Sequence, residues 1–244
     1  MPGGSPRASL FSALMAFLLG AVLLVVGVPR LMGELALLPG NQAAGNLYAG
    51  LPVTEEGRER LARSRAAAAA WIEGPRLDRD LGMAALTAAR APGVTPEQAG
   101  KALGEAVARF TSSLQHAPAD PYVWAFLALA HAQLRDLEST IEALTLAHVV
   151  GRGASELAVL RSTVSMAAWP WLNPVLKVAA GEDFVAALKR NGPALAEVAL
   201  AAGFTDMVRR RLASEPVELR RAFDLYVAEK LCDASFRGSG ACAL

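Results

Sequence analysis

Three histidines, two cysteines and a set of clustered arginines are the side chains of this 244-residue chain best equipped for chemistry. His116, His131 and His148 stand 15 and 17 residues apart. A helical zinc site wants two ligands one turn apart, or a cysteine partner close by, so this spacing is poor for a metal. No serine sits in a Gly-x-Ser-x-Gly setting, and no glycine-rich loop joins a strand to a helix. Carboxylates are spread as helix surfaces and caps spread them, with no acid and base pair to nominate. The sequence therefore predicts no catalytic residue, no metal and no cofactor. An enzyme would need a site concealed from Gly181 onward, where convergent carboxylates or histidines of shifted pKa would reveal it.

The two cysteines, Cys232 and Cys242, are separated by nine residues of glycine-rich sequence. A bond between them closes a small loop easily and would restrain the unfolded tail by about 2 to 3 kcal/mol. Such bonds persist in oxidising compartments, and two unrelated tail thiols are the other reading. Arg209, Arg210, Arg211, Arg220 and Arg221 are interleaved with Glu215 and Glu218, as on a solvated helix face. The sharper reading is a site for an acidic partner such as an anionic lipid or glycan. With a net charge of only +1, no global field points to nucleic acid.

The elements that would position these groups are helices. Ser9 to Val28 is a run of twenty residues without a charge. At 1.5 Å rise per residue it spans roughly 30 Å, the hydrocarbon thickness of a bilayer. A cleaved signal peptide has a shorter apolar core, about 7 to 15 residues, and no small-x-small site follows before Pro29 and Arg30. A single uncleaved anchor over residues 9–32 is expected, preceded by a short tail over residues 1–8 and touching lipid through residues 9–28. Arg7 and Arg30 flank the run evenly, so the positive-inside count is a tie. The cysteine pair tips the expectation to a periplasmic C-terminal domain on a bacterial inner membrane. Ala16-x3-Gly20, with Gly27 further along, could let two anchors pack closely, which admits a homo-oligomer.

Gly33, Pro39, Gly40, Gly45, Gly50 and Pro52 make residues 33–53 a spacer. Thr54 then offers an N-cap, with Glu55 and Glu56 in the first turn, for a helix to about Ile72. A second helix follows from Leu77 to Ala89, and Pro92 and Gly93 break the chain. Thr95-Pro96-Glu97 starts the next helix, which runs to His116 with Leu103, Ala106, Val107, Phe110 and Leu114 on one face. After Pro118 and Pro121, helices are expected from Tyr122 to Leu134, from Leu137 to Val149 and from Leu157 to Ala168. No hairpin signal or alternating run is found, so the fold class is all-α.

Trp124-x2-Leu127-Ala128-x2-His131, then Leu134-x-Asp136, then Ile141-x2-Leu144-x2-Ala147 resemble a tetratricopeptide repeat, a helix pair of 34 residues. Ala106-x3-Phe110 and Pro118 match the second half of a preceding unit. Departures are Thr140, Arg152, Arg90 and Gly93, and Arg161 and Ser165 fall at core positions of the following unit. The likeness covers roughly residues 98–152. It implies an α-solenoid of stacked helix pairs over residues 54–180, a helical extension over 181–231 and a tail over 232–244. By the family register, Tyr122, Ala125, Leu129, Ala132 and Gln133 line a concave groove for a protein partner. This groove is mostly apolar, so its occupant would be an apolar segment or helix, supplied by a partner or by this same chain. Trp169-Pro170-Trp171 would cover the end of the stack, or else remain exposed as a membrane-resting or ligand-stacking patch. The chain is similar in general build to anchored repeat proteins that accompany bacterial polysaccharide synthesis or export. A module of cytochrome c maturation is the alternative within the class. The expectation is a membrane-anchored adaptor that binds protein partners in the cell envelope.

Overall fold

The computed structural model describes residues 6–48 and 53–236, and these are helical with short connections and no strand among them. The chain divides into two compact units, Met1–Ala84 and Ala85–Leu244.

The first unit is built on α1 (Pro6–Leu37), which has Pro29 inside it. From Leu14 to Val28 its large apolar side chains are exposed, and it is long and apolar enough to cross a membrane. A 3-10 turn at Leu38–Gly40 leads into α2 (Asn41–Tyr48), followed by α3 (Glu55–Ala69) and the start of α4 (Pro75–Ala88). Thr54 caps α3, its hydroxyl accepting from the Gly57 N–H at 3.2 Å. α3 packs against α1, the 3-10 turn and α2. Leu37, Ala68 and Leu77 form one small core, and Ala43, Ala44 and Leu61 another.

Between these cores Arg65 is fully buried. Its Nε and Nη2 donate to Asp80 Oδ2 at 3.0 and 2.7 Å, its Nη1 to the Leu37 carbonyl at 2.7 Å, and Nη2 also to Asn41 Oδ1 at 3.0 Å. One guanidinium thus joins the end of α1 to α2, α3 and α4. Such a charge is tolerable in the interior because each face of the fork has an acceptor.

The second unit holds α5 (Pro96–His116), α6 (Pro121–Leu134), α7 (Leu137–Val150), α8 (Ala158–Ala168), α9 (Pro174–Ala202), α10 (Thr205–Leu212) and α11 (Val217–Phe236). Thr95 and Gln98 form a reciprocal capping box at the start of α5. Asp120, Asp136 and Asn173 cap α6, α7 and α9. α6 is apolar around most of its circumference, burying Val123, Ala125, Leu127, Ala128, Leu129 and Ala130. A helix of this kind needs cover on several sides, and α5, α7 and α8 supply it. A second core, of Met166, Phe184, Leu195, Val208, Leu212 and Phe223, joins α8 to α11. α9 bends at Asn191 (φ −152°, ψ 70°), whose Oδ1 accepts from the Ala194 N–H at 3.3 Å and recaps the helix where Pro193 interrupts it.

Three expected boundaries move. Of the expected spacer, residues 33–48 are helical, since α1 continues through Leu37, a 3-10 turn follows and α2 runs to Tyr48. The glycines there serve close approach rather than flexibility: a β-carbon on Gly33 would lie 2.5 Å from Ile72 Cγ2, and one on Gly40 would lie 3.0 Å from the Leu61 Cα. The helices after residue 54 do not start one domain, because α3 belongs with α1 and α2. Residue 181 is no boundary either. Gly181 lies inside α9, where it gives room to the Arg211 side chain.

Candidate functional site

In the second unit a recess of about 350 Å³ opens between α5, α6 and α7. Thr111, Leu114 and Gln115 line it from α5, Trp124, Leu127 and His131 from α6, and Ser139, Glu142 and Ala143 from α7. The spacing follows from helix geometry, because Trp124, Leu127 and His131 are three and four residues apart and so share a face. Trp124 is fixed by its indole N–H, which donates to the Pro118 carbonyl at 2.8 Å. This leaves an apolar floor of Trp124, Leu114, Leu127 and Ala143 beneath polar groups.

His131 is half-buried in the wall, its Nδ1 3.2 Å from Asp136 Oδ2. Asp136 itself accepts from the Ser139 N–H at 3.2 Å at the start of α7. Hydrogen bonding from Ser139 holds the Asp136 carboxyl below its usual range, and His131 pulls in the same direction. An anion therefore stands beside His131 at neutral pH, and Glu142 adds a second carboxylate at the cleft. The recess combines an apolar floor with an acidic edge, which suits an apolar side chain next to a basic one.

The groove expected on the other side of α6 is filled. Ala125 is fully buried against Ala147 and Leu157, and Leu129 is also buried. The occupant is this same chain, since the turn at Ser155–Leu157 and α8 pack on that face. Tyr122 is half-buried at the margin, and its hydroxyl donates to Glu156 Oε1 at 2.8 Å. Ala132 and Gln133 are also half-buried. With its amide oxygen turned toward Arg90, Gln133 accepts from Arg90 Nε at 2.9 Å. Ala125 and Leu129 are therefore covered by the chain itself, while Tyr122, Ala132 and Gln133 keep part of their surface exposed.

Arg161 and Asp183 form the second unit's internal charge cluster, with His148 Nε2 at 3.6 Å from Asp183 Oδ2. Arg161 Nη1 also donates to the Gly151 carbonyl at 2.9 Å, where α7 ends. Burial pushes the His148 pKa down, with Arg161 assisting and Asp183 opposing. Here a histidine and a carboxylate do converge near Gly181, but both Asp183 oxygens accept from Arg161, which engages the pair in joining helices. Arg161 was legible only as an interruption of a repeat core. A charge at a core position implies a buried partner, and that signal could have led to Asp183.

No protein family, curated protein or solved structure matches this chain.

The remaining expected sites are distributed separately. His116 is exposed at the end of α5, its Nδ1 3.0 Å from the Ser112 carbonyl oxygen. Among the described residues, no three His, Cys, Asp or Glu side chains gather as a metal site. Cys232 lies on α11, and Cys242, the other half of the expected loop, lies outside the described residues. In the arginine cluster, Arg209 donates to Asp224 at 2.8 Å and Asp206 at 3.0 Å, while Arg211 lies 3.5 Å from Glu215. Arg210, Arg220 and Arg221 are exposed. The two tryptophans divide their roles: Trp169 packs beside Phe184 and Phe204, with Lys177 over its ring, whereas Trp171 is 59% exposed.

Proposed function

We propose that this chain is a non-catalytic, single-pass adaptor of the bacterial cell envelope. In this reading α1 crosses the inner membrane through residues 9–28, and a tetratricopeptide-like array of helix pairs on the periplasmic side binds a protein partner. The observation that carries it is the cleft between α5, α6 and α7, lined by Trp124 and Glu142, with Asp136 beside the lining His131. Its size fits one or two side chains of a docked segment rather than a whole helix. An apolar residue would enter the recess and a neighbouring basic residue would meet the carboxylates. The resemblance to anchored repeat proteins makes components of polysaccharide synthesis or export the first partners to test.

A photo-crosslinking amino acid placed at exposed Thr111 in the full chain, in its native membranes, tests the reading. A discrete protein adduct is expected, weakened about tenfold by Glu142→Arg through loss of charge complementarity. Adducts that are the same from Thr111 and from Glu229 on α11, or that ignore Glu142→Arg, would overturn the cleft as the docking site.

A further inference from the structure

Just beyond its apolar run, α1 packs against the corner between α3 and α4. The run ends at Val28, and helix continues unbroken to Leu37. Five residues beyond Val28, about 7.5 Å along the axis, stands Gly33. The corner between α3 and α4 packs here, with Ile72 in the space a β-carbon on Gly33 would need. Arg76 Nη1 lies 3.8 Å from Glu34 Oε2 and ties the far side of the corner to the same turn of α1. The residue beside Ile72 is Trp71, 47% exposed although it is among the largest apolar side chains in the unit.

On the other side of α1, Leu31, Leu35 and Leu38 recur at helical spacing and are likewise exposed. Gly33, Ala36 and Leu37, between them in sequence, turn toward α3 and α4. Exposed apolar side chains thus stand on α1 itself, at Leu31 and Leu35, and at Trp71 on the α3–α4 corner that packs against it, just past the end of the charge-free stretch. Arg30 and Arg76 lie at this level as well. Indole rings with arginines near them suit the interface of a bilayer, where the ring meets acyl chains and headgroups together.

We infer that this collar seats the first unit on the lipid interface of the membrane that holds α1, with Trp71 inserted at headgroup depth. The inference rests on the reading of α1 as a membrane span. Its occupant is the bilayer itself, because Leu31 and Leu35 continue, at helical spacing, the exposed apolar surface of α1 at Leu24 and Val28.

The test uses the full chain reconstituted in phosphatidylethanolamine and phosphatidylglycerol vesicles, with and without phosphatidylcholine brominated high on its acyl chains. Bromine quenches only nearby tryptophans, and none of the four lies within the apolar run. Bromolipid is expected to quench the wild-type emission, and Trp71→Phe to reduce the quenched part at least about twofold, as an interfacial ring should. Equal quenching of wild type and Trp71→Phe, in protein that resists alkaline extraction, would overturn the collar and leave the span standing. Release of the chain by alkaline extraction would overturn the span and the collar together.

Discussion

Arg161 donates from Nε and Nη2 to the two carboxylate oxygens of Asp183, at 2.8 and 2.6 Å, and so clamps α8 to α9 in the interior. The first unit uses the same device, with Arg65 on α3 and Asp80 on α4. In both, the arginine also donates to a carbonyl at the end of an earlier helix, Leu37 in one and Gly151 in the other. Helix ends leave carbonyls without partners, and a guanidinium has donors left over after it binds one carboxylate.

Breaking the clamp from one side leaves a buried charge alone. Asp183→Ala is expected to cost about 3 to 5 kcal/mol, whereas Arg161→Lys cannot restore the paired bonds. Urea unfolding followed by circular dichroism measures both, and a change below about 1 kcal/mol for Asp183→Ala would show that the pair is not a structural clamp.

His148 gives stability a pH dependence. Its folded pKa is pushed below the usual 6.5 by burial, so the unfolded chain binds a proton more readily. Stability from this group is therefore present above about pH 6.5 and lost as the pH falls below it. His148→Gln should flatten the fall in urea midpoint between about pH 8 and pH 5, while an unchanged slope would assign the dependence to other groups.

Leu129 separates structure from binding. Because it is buried under the chain's own helices, Leu129→Asp should unfold the second unit rather than release a partner. The same substitution at exposed Leu134 should leave the melting temperature within a few degrees of wild type. Thermal melts of the two variants make the comparison.

Arg135 holds a left-handed backbone, φ 61° and ψ 23°, at the end of α6. A side chain there costs about 1 kcal/mol that glycine avoids. Arg135→Gly is expected to raise the unfolding free energy by up to about that amount, read as a higher urea midpoint.

Helix starts were legible because they are written locally. Thr54 and Thr95 each announce a cap, and each caps a helix. The apolar run of α1 needed only composition. What the sequence concealed was the meaning of glycine and of buried charge. Gly33, Gly40 and Gly181 look like breaks, yet each makes room for a side chain or backbone far away in sequence. Arg65 and Asp80 look like surface residues of helical stretches until tertiary contact brings them together, 15 residues apart. The expected groove left its occupant open for a related reason: helical spacing puts Ala125 and Leu129 on one face of α6, but only tertiary contact tells that α8 packs on that helix.

Helix passes from the apolar run through Pro29 into Leu37, and Gly33 keys it against Ile72, so the first unit is joined to that run by helix and not by a loop. The apolar run of α1 and this unit are joined as a shaft to its fitting. One residue inserted between Val28 and Gly33 would turn the unit by about 100° and lift it about 1.5 Å relative to the apolar surface below, re-aiming whatever it holds.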